Sequence, residues 1–584
     1  MLRRALLGLS AFAVSGILMT SVPPAARAEG LAGPYLAAEQ AARRGDISEA
    51  ARLYARVLVR DPDNVRLMEQ TMLHQVAAGQ IAQAVVVARR LERTQPGHHL
   101  GLLILATDGL KDEKFRKTAE KLEESGANGG PFVGAIIEAW ASFAADGIEA
   151  ARPKLARLES DGAGGPLGKL LAAYHLGLME AANGDDAAAA VALGRAAEAS
   201  NNGGTNRLIL TRAGALARSG DVDQARALVE ERLTRTLRAP RLQELIDDFD
   251  KGNVPEPQIT TAQAGAADAL YAISGFISQG NSRLIGLAYA RLAAYLDPEL
   301  VEAQLLVADI LAQDEQFGLA IEAYARIPEG SPEAIDAQIG RAEALRDADE
   351  VEEGLSVLRE VVLRHPHALE AHIALGDMLR RSSRFDEAAV AYDGAIALIG
   401  EPEQRHWVLF YQRGIAHERS KQWPKAEADF LKALELEEDQ PLVLNYLGYS
   451  WVEMRLNLEE AQSMIERAVE QRPEDGYIVD SLGWVLYRLG KYDEALDHMA
   501  RAVELRPVDP TINDHYGDVL WVNGRQTEAE FQWKRALSFD PEEEGQADRI
   551  KRKLDVGLDQ VLKEEAEENE PALVGTEAAE GDDG

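Results

Sequence analysis

An interval of 34 residues recurs along this chain and constrains its fold more than any other feature. Prolines repeat it in three places and glycines in one, with a single step of 35. The positions are Pro62 and Pro96; Pro298, Pro332 and Pro366; Pro473, Pro507 and Pro541; and Gly414, Gly448, Gly483 and Gly517. This period is the length of a helix-turn-helix unit stacked many times. Because no window shows sustained alternation of apolar and polar residues, the sequence predicts an all-α solenoid.

The clearest unit is 476–507, which reads GYIVDSLGWVLYRLGKYDEALDHMARAVELRP. Gly483 and Ala495 place small side chains where two helices are expected to cross closely. Gly490 suits the turn between the helices, and Pro507 cannot continue the second helix, so it marks the start of the next unit. The unit therefore predicts two packed helices joined by a short turn.

This pattern resembles the tetratricopeptide repeat. Four consecutive units match it, with second-helix signatures that begin WPKA, LEEA, YDEA and QTEA. The units are Trp407–Glu438, Pro441–Pro473, Gly476–Pro507 and Pro510–Pro541. The resemblance implies a right-handed superhelix in which the first helices line a concave groove and the second helices lie outside.

The chain is expected to hold two consecutive arrays. Residues 29–236 form a degenerate N-terminal array, with four helix pairs expected between residues 99 and 236. Residues 237–265 are a join, because Pro255 and Pro257 cannot lie in an ordinary helix. Residues 266–541 form the C-terminal array.

Two segments follow the repeats. Residues 542–563 are expected to form one amphipathic capping helix, with Ile550, Leu554, Leu558 and Leu562 on its apolar face. Residues 564–584 hold nine acidic residues and no basic one. That composition predicts a disordered acidic tail.

Residues 1–28 are typical of a secretory signal peptide. Arg3 and Arg4 precede an apolar stretch, and Ala26-Arg27-Ala28 places small residues at a cleavage point after Ala28. A membrane anchor is the alternative, but the stretch is shorter than the roughly 20 residues that a spanning helix needs. The chain has no cysteine, so it has no lipobox for lipid attachment. We expect a periplasmic protein without an integral membrane segment after cleavage.

Composition argues against several classes of function. A net charge of −35 disfavours nucleic acid as a partner. The sequence has no P-loop, GxSxG or HExxH motif, and its paired carboxylates are expected by chance among 97 acidic residues. His365, His367 and His372 are better explained as a repeat junction than as a metal site. We therefore expect neither catalysis nor a cofactor nor a metal.

The resemblance instead points to a partner-binding groove on the first helices of the last three units. Its expected residues are Asn445, Tyr449, Tyr477, Asp480, Trp484, Tyr487, Arg488, Asp514, Asp518 and Trp521. Aromatic and Arg side chains are frequent anchors at interfaces, although Trp484 and Trp521 could instead pack between repeats. Asp480 and Asp514 stand where a carboxylate-clamping member of the family would need Lys, Arg or Asn. The predicted partner is a protein with basic or mixed-charge segments.

The order of segments also resembles that of LbcA-type periplasmic repeat proteins. It runs from degenerate pairs through a join ending in AQAGAADALYAIS to strong repeats around NYLGY and DSLGW. This resemblance implies an adaptor that delivers substrates to a carboxy-terminal processing protease acting on cell-wall hydrolases. Those members are lipoproteins, which this chain without cysteine is not. The alternative is a scaffold for an envelope secretion or polysaccharide-export machine.

Overall fold

A computed structural model describes residues 31–126, 130–160, 165–200, 203–235, 239–278, 282–541 and 545–568. The predicted signal peptide lies outside these residues. Over the described ranges the chain is helical and contains no strand, so the all-α prediction is confirmed. None of the described helices is both long and apolar enough to cross a membrane.

The α-helices pair in sequence, as a helix-turn-helix repeat requires. The first sixteen are α1 (Ala32–Arg43), α2 (Ile47–Arg60), α3 (Val65–Ala77), α4 (Ile81–Thr94), α5 (His99–Lys111), α6 (Phe115–Ser125), α7 (Ala135–Asp146), α8 (Ile148–Ser160), α9 (Gly165–Ala182), α10 (Asp186–Glu198), α11 (Asn206–Arg218), α12 (Val222–Leu233), α13 (Pro240–Asp250), α14 (Ala262–Ile277), α15 (Arg283–Leu296) and α16 (Val301–Gln313). The four pairs expected between residues 99 and 236 are present as α5 to α12.

The remaining helices carry the stronger repeats. They are α17 (Phe317–Tyr324), α18 (Ala334–Asp347), α19 (Val351–Arg364), α20 (Leu369–Arg381), α21 (Phe385–Leu398), α22 (Trp407–Arg419), α23 (Trp423–Leu436), α24 (Pro441–Glu453), α25 (Leu458–Gln471), α26 (Gly476–Arg488), α27 (Tyr492–Leu505), α28 (Pro510–Val522), α29 (Gln526–Ser538), α30 (Gln546–Val556) and α31 (Leu558–Glu568).

Local sequence explains how the helices of unit 476–507 pair and how the next helix begins. Helix α28 begins where the Asp509 side chain accepts a hydrogen bond from the backbone N–H of Ile512 at 3.0 Å, which satisfies a free helix-end donor. The turn before α27 needs a left-handed residue, and Gly490 supplies it with φ of 77°. The two helices then cross where Gly483 faces Met499, since an added Cβ would lie 2.9 Å from Met499 Cγ. The small-residue role predicted for Gly483 is therefore confirmed.

The chain divides into two compact units, and each draws on two separate segments. One unit comprises residues 1–201 and 258–316, and the other comprises residues 202–257 and 317–584. In the first unit α14 packs on α7 and α9, while α15 packs on α3 and α5. The division therefore differs from two consecutive arrays separated by a join at 237–265, because α14 and α15 return to the N-terminal helices.

The end of the chain differs from the single capping helix that the sequence predicts. The structure has two helices, because Gly557 adopts φ of 84° between α30 and α31. Ile550 and Leu558 are buried as expected, but Leu562 is 40% exposed. Helix α31 also extends through residues 564–568, so the prediction that the disordered tail begins at residue 564 is wrong there. Residues 569–584 lie outside the described residues.

Candidate binding groove

In the second unit, the first helices of successive repeats approach one another more closely than the second helices of successive repeats do. Helix α20 contacts both α18 and α22, and α26 contacts both α24 and α28, whereas successive second helices make no comparable contact. The inner face of this unit is therefore lined by first helices. This arrangement agrees with the groove that the family resemblance implies.

The equivalent face of the first unit is covered by its own chain. Gly265 of α14 lies so close to Trp140 of α7 that an added Cβ would be 2.0 Å from Trp140 Cε2. On α15, Tyr289 shares a hydrogen bond of 3.0 Å with His99, and Arg291 donates to the Ala77 carbonyl at 3.3 Å. Since α14 and α15 occupy this face, the second unit is the better candidate for binding a partner.

The C-terminal end of the second unit's groove is also occupied. Lys553 of α30 has a fully buried side chain, and its Nζ lies 2.8 Å from Asp514 Oδ1 and 2.6 Å from Asp518 Oδ1. Arg549 Nη1 lies 3.5 Å from Asp518, and Trp533 Nε1 donates to Asp518 Oδ1 at 2.9 Å. The two predicted groove carboxylates thus already have cations from the same chain.

Burial and then the charge of Asp518 raise the pKa of Asp514 above its ordinary value, whereas Lys553 lowers it. A desolvated carboxylate pair of this kind depends on its buried cation. Asp514 and Asp518 are therefore components of the capping contact, and they do not support the prediction of a basic partner.

Trp521 is part of the same contact. Its indole N–H donates to Asp559 Oδ2 of α31 at 3.1 Å, and its ring lies 5.3 Å from that of Trp533. Gly557 passes so close to it that an added Cβ would lie 2.7 Å from Trp521 Cζ2. Of the two roles considered for Trp521, packing within the chain is the one that the structure supports.

Trp484 fills the space between two repeats. Only 7% of its surface is exposed. Its ring stacks on His515 of the next repeat at 3.9 Å and on Tyr487 at 4.9 Å. Its indole N–H donates to Glu453 Oε1 at 2.7 Å, and Arg488 lies 3.4 Å from the other oxygen of Glu453. The packing role weighed for Trp484 therefore accounts for its contacts.

Asp480 is paired as well, since its Oδ2 lies 3.0 Å from Nδ1 of His515. Burial lowers the pKa of His515, but the carboxylates of Asp480, Asp514 and Asp518 outweigh burial and raise it above its ordinary value. Burial also raises the pKa of Tyr487. Tyr477 differs from these residues because it is 51% exposed, with the guanidinium of Arg506 4.7 Å from its ring centre.

In the central part of the groove, formed by α20, α22 and α24, the sequence predicts only Asn445 and Tyr449 as binding residues. The ring centres of Tyr411 and Tyr446 lie 6.0 Å apart, and Phe430 lies 5.2 Å from Tyr446. Asn445 is half-buried, and its Oδ1 is enclosed without a hydrogen-bond partner among the described residues. Gly414 and Gly448 align Tyr411 with Asn445, so the two tyrosines are not at equivalent repeat positions and the 34-residue period does not reveal this surface.

The histidines at 365, 367 and 372 lie at the repeat junction before and within α20. His372 Nε2 shares a hydrogen bond of 3.1 Å with the Pro366 carbonyl. Across the part of the chain that the structure describes, no group of three or more His, Cys, Asp or Glu residues could hold a metal ion.

The paired helices define a helical-repeat protein. A model of the tetratricopeptide repeat family matches residues 339–401, 455–510 and 481–543. Over these residues the chain contains tetratricopeptide repeats. It is 33% identical over 87 residues to the TPR repeat-containing protein PA4667 of Pseudomonas aeruginosa, a match that spans 15% of each chain.

Solved structures of helical-repeat proteins are also similar to the chain. The Cut9–Hcn1 hetero-tetramer of the APC/C aligns over 91% of this chain and 97% of its own, with 14% identity and a TM-score of 0.38. A tetratricopeptide repeat protein from Parabacteroides merdae aligns over 44% of this chain and 97% of its own, with 18% identity and a TM-score of 0.36.

Proposed function

We propose that this chain is a non-catalytic scaffold that binds protein partners along the first-helix face of α18 to α26. The observation that carries the proposal is the aromatic and polar surface of Tyr411, Asn445 and Tyr446. It lies on first helices α22 and α24, and no described helix of the unit packs on their face as α14 and α15 pack on the first helices of the first unit. Aromatic side chains beside polar groups are typical anchors for a bound segment.

The proposal extends to the setting of this binding. The signal sequence supports export to the periplasm, and the order of segments supports an adaptor of the LbcA type. In that role the chain would deliver substrates to a carboxy-terminal processing protease that acts on cell-wall hydrolases. The bound segment would have mixed charge rather than be uniformly basic, because the carboxylates of Asp480, Asp514 and Asp518 are paired within the chain.

The test is affinity capture from periplasmic extract with the intact chain and with Asn445→Arg and Tyr487→Ala. Asn445→Arg would place a long cation in the groove, and Tyr487→Ala would remove part of its wall. The matched control is Val390→Arg, since Val390 is a 68% exposed residue of the second helix α21. Trp484 is left intact because its truncation would disturb the packing between repeats.

Capture of a PDZ-containing serine protease by the wild type and the control, but not by the groove variants, would support the adaptor. Capture of export-channel subunits instead would overturn the adaptor role in favour of the secretion scaffold. If the groove variants retain every partner, the groove is not the binding surface.

A further inference from the structure

A cavity of about 680 Å³ lies within the second unit, between α13 and the starts of α18 and α20. This is the size of a site for a small ligand or for a few residues of a peptide. One wall is α13, which contributes Glu244 and Asp247, and the opposite wall is formed by the repeat junctions before α20 and α22. None of the predicted groove residues lines this cavity, so it is a surface separate from the first-helix groove.

Contacts within the chain hold the two walls of the cavity together. Arg241 of α13 donates through its Nε to Glu333 Oε1, directly before α18, at 2.7 Å. Arg405, which precedes α22, donates to the backbone carbonyl of Leu233 in α12. Helix α13 also packs on α11 and α12. The cavity is therefore formed before any ligand binds, which lowers the ordering cost of binding.

The interior of the cavity is largely apolar. Five half-buried aliphatic side chains line it, namely Leu233, Ile335, Leu369, Leu398 and Ile399. The exposed lining residues are instead mostly polar or charged and form a rim, and they include Gln243, Glu244, Asp247, His365 and His367. Covering the aliphatic side chains with an apolar group of a ligand is favourable because it removes apolar surface from water.

The lining carries more negative than positive charge. Its charged residues are the carboxylates of Glu244, Asp247, Asp336 and Glu370 and the guanidiniums of Arg364 and Arg405. Arg364 is paired with Glu360 at 2.5 Å, and Arg405 lies 3.2 Å from Glu403. Neither of these glutamates lines the cavity. The lining therefore attracts a cationic group, and it repels segments such as the chain's own residues 564–584, which hold nine acidic residues and no basic one.

His406 supplies a hydrogen-bond donor to the same cavity, although it is only 3% exposed. Its Nδ1 accepts a hydrogen bond from the backbone N–H of Glu403 at 2.8 Å, so the proton of the neutral ring is on Nε2. Burial lowers the pKa of His406, which keeps the ring neutral at neutral pH. Nε2 has no hydrogen-bond partner among the described residues. Because Glu403 lies outside the lining, Nε2 is the nitrogen that a ligand acceptor can reach.

We propose that this cavity binds a segment of a partner protein in which a Leu or Ile side chain stands next to a Lys or Arg. The apolar side chain covers the aliphatic interior, and the cation pairs with the carboxylates of the lining. A backbone carbonyl of the segment accepts a hydrogen bond from His406 Nε2. The aliphatic interior favours such a peptide over a simple cation, which would leave that surface in water. This inference goes beyond the proposed groove function, because it gives the second unit a second binding surface.

The test measures binding of short peptides, acetylated and amidated at their ends, to the full chain by fluorescence anisotropy. The centre of each peptide is Leu-Lys, Leu-Glu or Ala-Lys, between uncharged flanks. The proteins are the wild type, Glu244→Lys and the groove variant Asn445→Arg. The matched control is Glu231→Lys, which makes the same change of charge at an exposed residue of α12 that does not line the cavity. Thermal melting shows whether each variant keeps the fold.

The wild type, Glu231→Lys and Asn445→Arg should bind the Leu-Lys peptide roughly tenfold more tightly than the Leu-Glu peptide, because like charges brought together at a binding site are disfavoured. They should also prefer Leu-Lys to Ala-Lys, and Glu244→Lys should lose most of the preference for Lys over Glu. An unchanged preference in Glu244→Lys overturns the inference, and so does a wild type that does not bind the Leu-Lys peptide or does not distinguish it from Ala-Lys. Binding that Asn445→Arg loses and Glu244→Lys keeps would place the peptide in the groove, which overturns this inference and supports the proposed function.

Discussion

The buried cation of the C-terminal cap provides the sharpest test of how this fold is held together. Lys553→Met keeps an apolar stem of similar length but leaves the buried carboxylates of Asp514 and Asp518 without their nearest cation, 2.8 and 2.6 Å away. Removing one partner of a buried ion pair costs about 3–5 kcal/mol. The lower end applies here because Arg549 remains 4.0 and 3.5 Å from the two carboxylates.

A cost of about 3 kcal/mol raises the population of the locally opened cap roughly a hundredfold. Amide hydrogen exchange measures this opening segment by segment, which suits a repeat protein whose terminal units open before the rest. We expect protection in α30 and α31 to fall roughly a hundredfold, while α20 to α24 stay unchanged. Lys551→Met is the matched control, since Lys551 is an exposed residue of the same helix paired with Asp548.

The defect should depend on pH with a defined sign. Burial and Asp518 raise the pKa of Asp514, and Lys553 opposes them. Removing Lys553 therefore raises that pKa further. A carboxyl whose pKa is raised by folding favours the folded state at low pH and loses that contribution as pH rises through the folded pKa. The difference between variant and wild type should be full at neutral pH and shrink as pH falls toward the ordinary value of 3.8.

His515 gains a proton in both proteins as pH falls, so only the difference between variant and wild type is informative. The triple variant Asp514→Asn, Asp518→Asn, Lys553→Met should recover most of the protection at neutral pH, because no uncompensated charge remains. Unchanged protection in Lys553→Met, or a defect that grows on acidification, would refute the reasoning.

Two further predictions concern helix crossings and the chain end. Gly517→Ala should destabilise the fold by about 2–3 kcal/mol, because its Cβ would lie 2.4 Å from the rigid indole of Trp533. In Gly483→Ala the added Cβ would lie 2.9 Å from the flexible side chain of Met499, so this variant should lose only about 1 kcal/mol of stability. Urea denaturation measures both losses, and a larger loss in Gly483→Ala than in Gly517→Ala would contradict this packing. Truncation after Glu568 keeps every described contact of α30 and α31, so the melting temperature should stay unchanged, whereas removing both helices should lower it. Equal melting of the two truncated proteins would show that the cap does not stabilise the array.

Much of the fold could be predicted from the sequence because the information is local and repeated. Gly483 marks a close helix crossing, Gly490 marks a turn, and Pro507 marks the end of a unit, all within one 34-residue period. Helical periodicity and turn glycines also predict the helix pairs between residues 99 and 236, where the consensus is weak. Periodicity fails at the chain end, because Leu562 fits an apolar stripe as well as Leu558 does, yet is 40% exposed.

The candidate site was harder to predict because it depends on which charged side chains pair with one another in the folded chain. Asp480, Asp514 and Asp518 occupy groove positions in the repeat pattern, and their residue types alone suggest an acidic surface. Their cations and histidine come from residues 35 to 39 positions away. Position in the repeat could not reveal those partners.

The sequence by itself determined the repeating helix pair, since short-range spacing of small, apolar and helix-ending residues fixes how one helix packs on the next. Only the tertiary structure decided which faces remain available. It places α14 and α15 on the first helices of the N-terminal array and Lys553 between the carboxylates at the end of the C-terminal array. Which helix faces are covered and which charges are paired depends on where distant segments of the chain pack. A 34-residue pattern does not specify that packing.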